Sequence, residues 1–167
     1  TLTTSDLTKS NYAFTLDATA IGTDGAKSVT AIATDAAGNS SSASSALSLT
    51  VDTVAPVLSS LKFVEQTSTG LIYKATFANQ VTGVGIADFS VTGTTASVTN
   101  VEAASEAGKF YNITASGGDL KTIDEGTSVA LGFAEDADIK DLAGNLFDDL
   151  DRTVSFAVDY TAPSAAR

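Results

Sequence analysis

Hydrophobic and polar residues alternate with a period of two along most of this chain, and no stretch carries a convincing period of 3.6. Tyr12–Leu16, Lys27–Thr34 and Ala46–Val51 read as strands, the last with Leu47, Leu49 and Val51 on one face. A second series follows at Val57–Phe63, Leu71–Phe77, Phe89–Val91, Ser97–Val101, Phe110–Ala115, Ser128–Ala134 and Thr153–Val158. Gly, Asn, Asp and Ser punctuate the intervals, as turn chemistry requires. Seven short strands in about 105 residues predict an all-β, antiparallel sandwich. The aromatic residues Phe63, Tyr73, Phe77, Phe89, Phe110, Phe133 and Phe156 fall at strand spacing and are assigned to its core.

One pattern occurs twice. Asp35-Ala36-Ala37-Gly38-Asn39 precedes Val51-Asp52-Thr53-Val54-Ala55-Pro56, and Asp141-Leu142-Ala143-Gly144-Asn145 precedes Val158-Asp159-Tyr160-Thr161-Ala162-Pro163. The D-x-A-G-N stretches lie 106 residues apart and the V-D-x-x-A-P stretches 107 apart. Domain-sized spacing predicts tandem repeats. Proline lacks an N–H and pushes its predecessor toward extended geometry, so each V-D-x-x-A-P reads as a short, stiff crossing. The expected units are residues 1–53, the C-terminal half of a domain; 54–160, a complete domain; and 161–167, the start of the next linker or a tail. Half a sandwich leaves an apolar sheet face and an edge open. The chain is therefore expected to be a fragment, or to be completed by strands from another chain.

Composition narrows the function. The net charge of −11 opposes binding to nucleic acid or anionic lipid. No apolar run approaches 18 residues, so no membrane insertion is expected. His, Cys and Trp are absent, which removes Ser-His-Asp and Cys-His chemistry and His-ligated zinc. Asp136 and Asp138 could mimic a glycosidase pair, but they share one loop without an aromatic platform. A Lys–Asn crosslink could start from Lys62 or Lys74, yet Arg152–Asp159 contains no Asn. The chain is expected not to be an enzyme.

Phe77-Ala78-Asn79-Gln80-Val81-Thr82-Gly83-Val84, running into Ala87-Asp88-Phe89-Ser90-Val91-Thr92-Gly93, resembles the second-strand region of bacterial Ig-like repeats. Asp141-Leu142-Ala143-Gly144-Asn145 and the Val-Asp-x-x-Ala-Pro linkers resemble the same family. Such repeats build large secreted adhesins, biofilm proteins and surface-layer proteins. The resemblance implies an Ig-like fold, an extracellular location on the bacterial cell surface, neighbouring Ig-like repeats as partners, and junctions that commonly bind calcium. Family members often carry an acidic residue after the second-strand Phe. This chain has Ala78-Asn79 there, so the resemblance does not extend to a carboxylate ligand from this loop.

Calcium takes six to eight oxygens from carboxylates, carbonyls and water. In an Ig-like sandwich the last strand runs away from the hairpin before it, so each D-x-A-G-N loop would face the preceding domain. Asp52 is then expected to approach the loop bearing Asp138, Asp141 and Asn145. Asp159 would serve the next junction, and Asp35 and Asn39 the upstream one. Glu135–Asp151 holds seven acids and one base among 17 residues. A cation would neutralise it; a solvated acidic loop, with D-x-A-G-N serving only as a turn, is the other reading.

Three functions follow: an extender repeat with calcium-stiffened junctions, a self-associating subunit of a filament or surface layer, and a module binding glycan or protein.

Overall fold

The structure is a computed structural model and describes residues 18–104 and 108–160. The strand expected at Tyr12–Leu16 lies outside the described residues, as does the segment 161–167. The chain divides into two compact units between Thr53 and Val54. Both are built from antiparallel sheets, and the one α-helical stretch among the described residues is α1, four residues at Ala18–Ile21.

In the first unit, β1 (Gly25–Val29) pairs with β2 (Leu47–Val51) in the register Val29↔Leu47 to Gly25↔Val51. The strand expected over Lys27–Thr34 stops at Val29. Beyond it the N–H groups of Ala31 and Ala33 donate to the hydroxyls of Ser44 (2.9 Å) and Ser41 (3.0 Å). Serine side chains that offer the backbone an alternative acceptor break up a regular ladder. The backbone nonetheless keeps its course, because Ser44 and Ser41 return their N–H groups to the carbonyls of Ala31 and Ala33. The far end is closed by Asp24, whose carboxylate accepts from the N–H (3.0 Å) and the hydroxyl (2.9 Å) of Thr53.

The second unit begins at Val54, and its strands follow Pro56. Its strands are β3 (Leu58–Gln66), β4 (Gly70–Phe77), β5 (Val81–Thr82), β6 (Phe89–Thr92), β7 (Ser97–Ala103), β8 (Phe110–Ser116), β9 (Ser128–Phe133), β10 (Lys140–Asp141) and β11 (Thr153–Ala157). One sheet has the order β3-β4-β8-β7 and a second the order β11-β9-β6, while β5 and β10 form a separate pair. The seven long strands agree with the expected ones to within a few residues. The β5–β10 pair, only two residues a side, left no periodic trace in the sequence.

The two larger sheets share one core. Alternation along β4 turns Leu71, Tyr73, Ala75 and Phe77 inward, and β8 adds Tyr111, Ile113 and Ala115. Val129, Leu131 and Phe133 face them from β9. Full burial of a Val, Leu or Phe side chain is worth roughly 1.5–3 kcal/mol, so this layer dominates the unit's stability. Phe63 of β3 stacks on Phe156 of β11 at 3.7 Å between centroids, which ties the two sheets together along one side. One assignment made from the sequence is corrected. Phe110 points outward, with the Lys74 ammonium 4.9 Å above its ring, and its neighbour Tyr111 takes the core position. A strand six or seven residues long can be read in either phase when two aromatics stand side by side, and only the packing chose between them.

The registers place the connections at two poles of this unit. Residue 57, the 78–88 segment, Gly108–Lys109 and the 134–152 loop gather at one, joined by Ala78 N–H to Val57 O, Val81 N–H to Gly108 O and the β5–β10 pair. The β3–β4 turn, the 117–127 segment and Val158–Tyr160 gather at the other, joined by Gly126 N–H to Val158 O and by Asp159 N–H to Gln66 Oε1 at 3.1 Å. The chain therefore crosses the unit from pole to pole.

Candidate functional site

The loop pole carries most of the residues singled out from the sequence. Within it, Asp141-Leu142-Ala143-Gly144-Asn145 closes on itself. The Asp141 Oδ1 accepts from the N–H of Ala143 and of Asn145, both at 2.9 Å, and Oδ2 accepts from the Asn145 amide at 2.8 Å. Gly144 supplies a φ of 96°, which an L side chain would strain, and donates its N–H to the Asp141 carbonyl. The motif thus reads as one mechanism: a short acid to fill the turn, a glycine to reverse it and an asparagine to latch it. The Asn145 side-chain hydrogen bond is the main force holding the Asp141 carboxyl below the usual carboxylate range; burial works against it and the backbone N–H groups of Asn145, Gly144 and Ala143 add to it.

The same device stands in the first unit. Asp35 Oδ1 accepts from Ala37 N–H (2.9 Å) and Asn39 N–H (2.8 Å), and Oδ2 from the Asn39 amide (2.9 Å). Gly38 has a φ of 91°. The Asp35 carboxyl is also lowered, again chiefly by the Asn39 side chain.

A residue not picked out as a site from the sequence organises the pole. Asp88, at the end of the 3-10 turn Ile86–Asp88, is only 4% exposed. Its carboxylate accepts the N–H of Gly85 at 2.6 Å and of Asp138 at 3.0 Å, and its carbonyl accepts the N–H of Ala134. It therefore pins the acidic loop at both Ala134 and Asp138. Gly83, with a φ of 83°, lies so close that a Cβ there would stand 3.3 Å from the Asp138 carbonyl. The signal was present in the sequence as an acid immediately before a strand, flanked by Gly83 and Gly85, but a burial of that kind is decided by the fold.

The remaining acids face solvent. Of the seven in Glu135–Asp151, Asp141 alone is buried, at 8% exposure. Asp149 pairs with Arg152 at 3.0 Å, an exposed contact worth about 0–1 kcal/mol. Asp138 and Asn145 stand in this same loop, with Asp138 exposed and Asn145 turned onto Asp141. Asp35 and Asn39 belong to the turn of the first unit. Asp52 is exposed at the end of β2, in the first unit. Asp159 is at the opposite pole of the second unit, beside Gln66.

The donor set decides how each residue suits calcium. Asp141 has both carboxylate oxygens engaged by N–H donors, and Asn145 is the partner of one of them. A cation on Asp141 would have to share oxygens that already accept the N–H groups shaping the loop. Asp138 suits the ion better, because its backbone is fixed by Asp88 while the residue itself is exposed. Among the described residues no group of three or more acidic side chains is already gathered about one point.

No protein-family model matches the chain, and no curated protein or solved structure matches it. Among the described residues no helix is long and apolar enough to cross a membrane.

Proposed function

We propose that this chain is an extender unit of a bacterial cell-surface adhesin, built from tandem Ig-like sandwiches. The observation that carries the reading is the course of the second unit. Its sheet orders, β3-β4-β8-β7 and β11-β9-β6, are first-second-fifth-fourth and seventh-sixth-third among the long strands. That is the strand order of a seven-stranded Ig-like sandwich. The chain arrives at one pole and leaves at the other, so every such unit added lengthens the array. A seven-residue strand advances roughly 23 Å. The recurrence of the D-x-A-G-N latch in both units, bond for bond, supports the repeat.

Calcium belongs to this proposal at the acidic pole. Asp138 would supply a carboxylate to it, and Asp88, Asp141 and Asn145 would shape the loop around that residue. Bound calcium would neutralise the loop and raise its stiffness. The test is thermal melting with calcium and with chelator, beside small-angle scattering. A calcium-dependent rise in melting temperature that Asp138→Asn abolishes is expected. An unchanged melt and an unchanged scattering profile would remove the metal, and a compact profile for two linked repeats would remove the extender.

A second reading, a filament subunit completed by a neighbour, draws on the first unit. Ile32 and Leu47 there are 61% and 64% exposed. Polymers growing with concentration in sedimentation would favour it, and a monomer at all concentrations would end it.

A further inference from the structure

The two larger sheets of the second unit end in β3, β7, β6 and β11, each hydrogen-bonded to one neighbouring strand among the described residues. Three of these edges carry a device that discourages a further strand. β3 breaks register at Leu58/Ser60 and at Phe63/Glu65 and holds Lys62 and Glu65. β7 breaks register at Val98/Asn100 and holds Glu102. β6 is four residues long. Ala134 N–H on Asp88 O sets the phase of its ladder, so only Phe89 and Val91 face away from β9, and Phe89 is buried.

β11 has none of these devices. Its register with β9 runs unbroken from Thr153↔Gly132 to Ala157↔Ser128, and Thr-Val-Ser-Phe-Ala holds no charge, proline or glycine. Val158 donates its N–H to Thr127 O, so Val158, Phe156 and Val154 turn their backbone groups toward β9. Thr153, Ser155 and Ala157 turn theirs the other way, and all three are exposed. β3 meets β11 through the Phe63–Phe156 stack without pairing with it. That corner is an apolar lip: Val154, Phe156 and Phe63 are half-buried, and Val64, next to Phe63, is 52% exposed.

Charge frames the edge at both ends. Asp148, Asp149, Asp151 and Arg152 precede β11. Asp159 follows it, and Lys121, Asp124 and Glu125 lie on the segment that Gly126 ties to Val158. Each end thus holds three acids and one base, while β3 alongside adds one of each, Glu65 and Lys62.

We infer that the β11 edge is a docking site for an extended segment of another protein, which adds to the β11-β9-β6 sheet as a fourth strand. The segment is uncharged and alternating over about five residues and flanked by Lys or Arg. The outward N–H and C=O groups recognise an extended backbone, the lip covers alternate apolar side chains, and the acidic ends favour basic flanks. A second copy is the poorer occupant. Its own β11 brings two acidic ends to an edge that already has them, and each chain carries −11. The inference goes beyond the array reading and uses none of its steps.

The probe is the peptide acetyl-Lys-Lys-Val-Thr-Val-Thr-Val-Lys-Lys-amide, titrated into the full chain and followed by amide chemical shifts. Saturable shifts at Thr153, Ser155 and Ala157 are expected. Ser155→Pro removes the central outward N–H and should weaken binding about tenfold. Proline is tolerated on an edge strand where the N–H it lacks faced solvent. The same peptide N-methylated throughout its middle keeps its charge but cannot complete the ladder. It should not bind, which tests the site without altering the protein. Glutamates in place of the lysines should also abolish binding. Equal binding of the methylated and parent peptides, shifts confined to the 134–152 loop, or no saturable shifts would overturn the site. So would self-association in sedimentation that Ser155→Pro abolishes, which would assign the edge to a second copy.

Discussion

The two D-x-A-G-N turns are the same object in two different settings. Each has the carboxylate accepting two backbone N–H groups and one amide, and each has a glycine near a φ of 90°. The residues flanking them decide the rest. Ala33 and Ser41 bracket the first turn and share a backbone hydrogen bond; Ile139 and Phe147 bracket the second and share the same one. Phe147 packs edge-on to Phe77 at 5.6 Å and against Phe133 at 4.8 Å, and Ile139 is fully buried. The second turn is thereby seated on a core, while every residue of the first stays exposed. The lesson is that the turn motif supplies a local shape and the two positions outside it determine whether that shape is anchored.

The strongest way to break the comparison is at those flanks. Phe147→Ala should cost the second unit about 3–5 kcal/mol, through lost transfer energy and the cavity left between Phe77 and Phe133. Its counterpart Ser41→Ala should change stability by no more than about 0.5 kcal/mol. Chemical denaturation of the two variants measures both. Equal losses would mean that the first turn is anchored as firmly as the second.

Next in size is Asp88→Ala. It leaves the N–H groups of Gly85 and Asp138 without their charged acceptor and is expected to cost about 2–3 kcal/mol. Hydrogen exchange should show the 134–138 segment opening while β4 and β8 stay protected. Unchanged protection would show that the β5–β10 pair and Phe147 hold the loop without Asp88.

Tyr73 sharpens the contrast from the other side, since among the described residues only the second unit buries a polar atom this deeply. Its hydroxyl is buried with no partner among the described residues, and burial pushes its pKa up to about 12. Tyr73→Phe removes the unsatisfied group while keeping the ring against Phe63, and should stabilise the unit by about 1 kcal/mol. A loss of stability would show that the hydroxyl is satisfied in solution by a buried water.

The smallest effect is shared by both turns. A carboxyl held below its unfolded value stabilises above that value, about 3.9, and loses the contribution as pH falls through the lower folded value. Asp35 and Asp141 are both lowered, so both latches should stay closed at neutral pH and loosen only below about pH 4. Carboxyl chemical shifts followed by NMR would test this. An ordinary titration at Asp35 beside a lowered one at Asp141 would show that the latch needs the core beneath it.

Much of this architecture was readable in advance. Alternation along Leu71–Phe77 and Ser128–Ala134 marked central strands, because a buried face leaves a period of two whatever else surrounds it. The turns were readable because Asp, Gly and Asn act on their own backbone. Less readable was the site. The D-x-A-G-N spacing shows Asp141 and Asn145 as an oxygen-bearing pair but not that they hydrogen-bond to each other, and nothing local marks Asp88 as the residue that holds Ala134 and Asp138, because those partners lie about 50 residues away. Phe110 and Tyr111 stood adjacent, and only the facing sheet determined which turned inward.

By itself, then, the sequence determined what is local: strand positions, the self-closing turns, and the recurrence of one turn motif. These follow from interactions within a few residues of the chain, whose cost and gain do not depend on what packs against them. Only the tertiary structure decided that one turn is seated on Phe147 and Ile139, that Asp88 is buried as the pin of the acidic loop, and that β11 stands at the edge of its sheet. Those outcomes depend on which distant surfaces exclude water from one another, and a linear pattern does not record that.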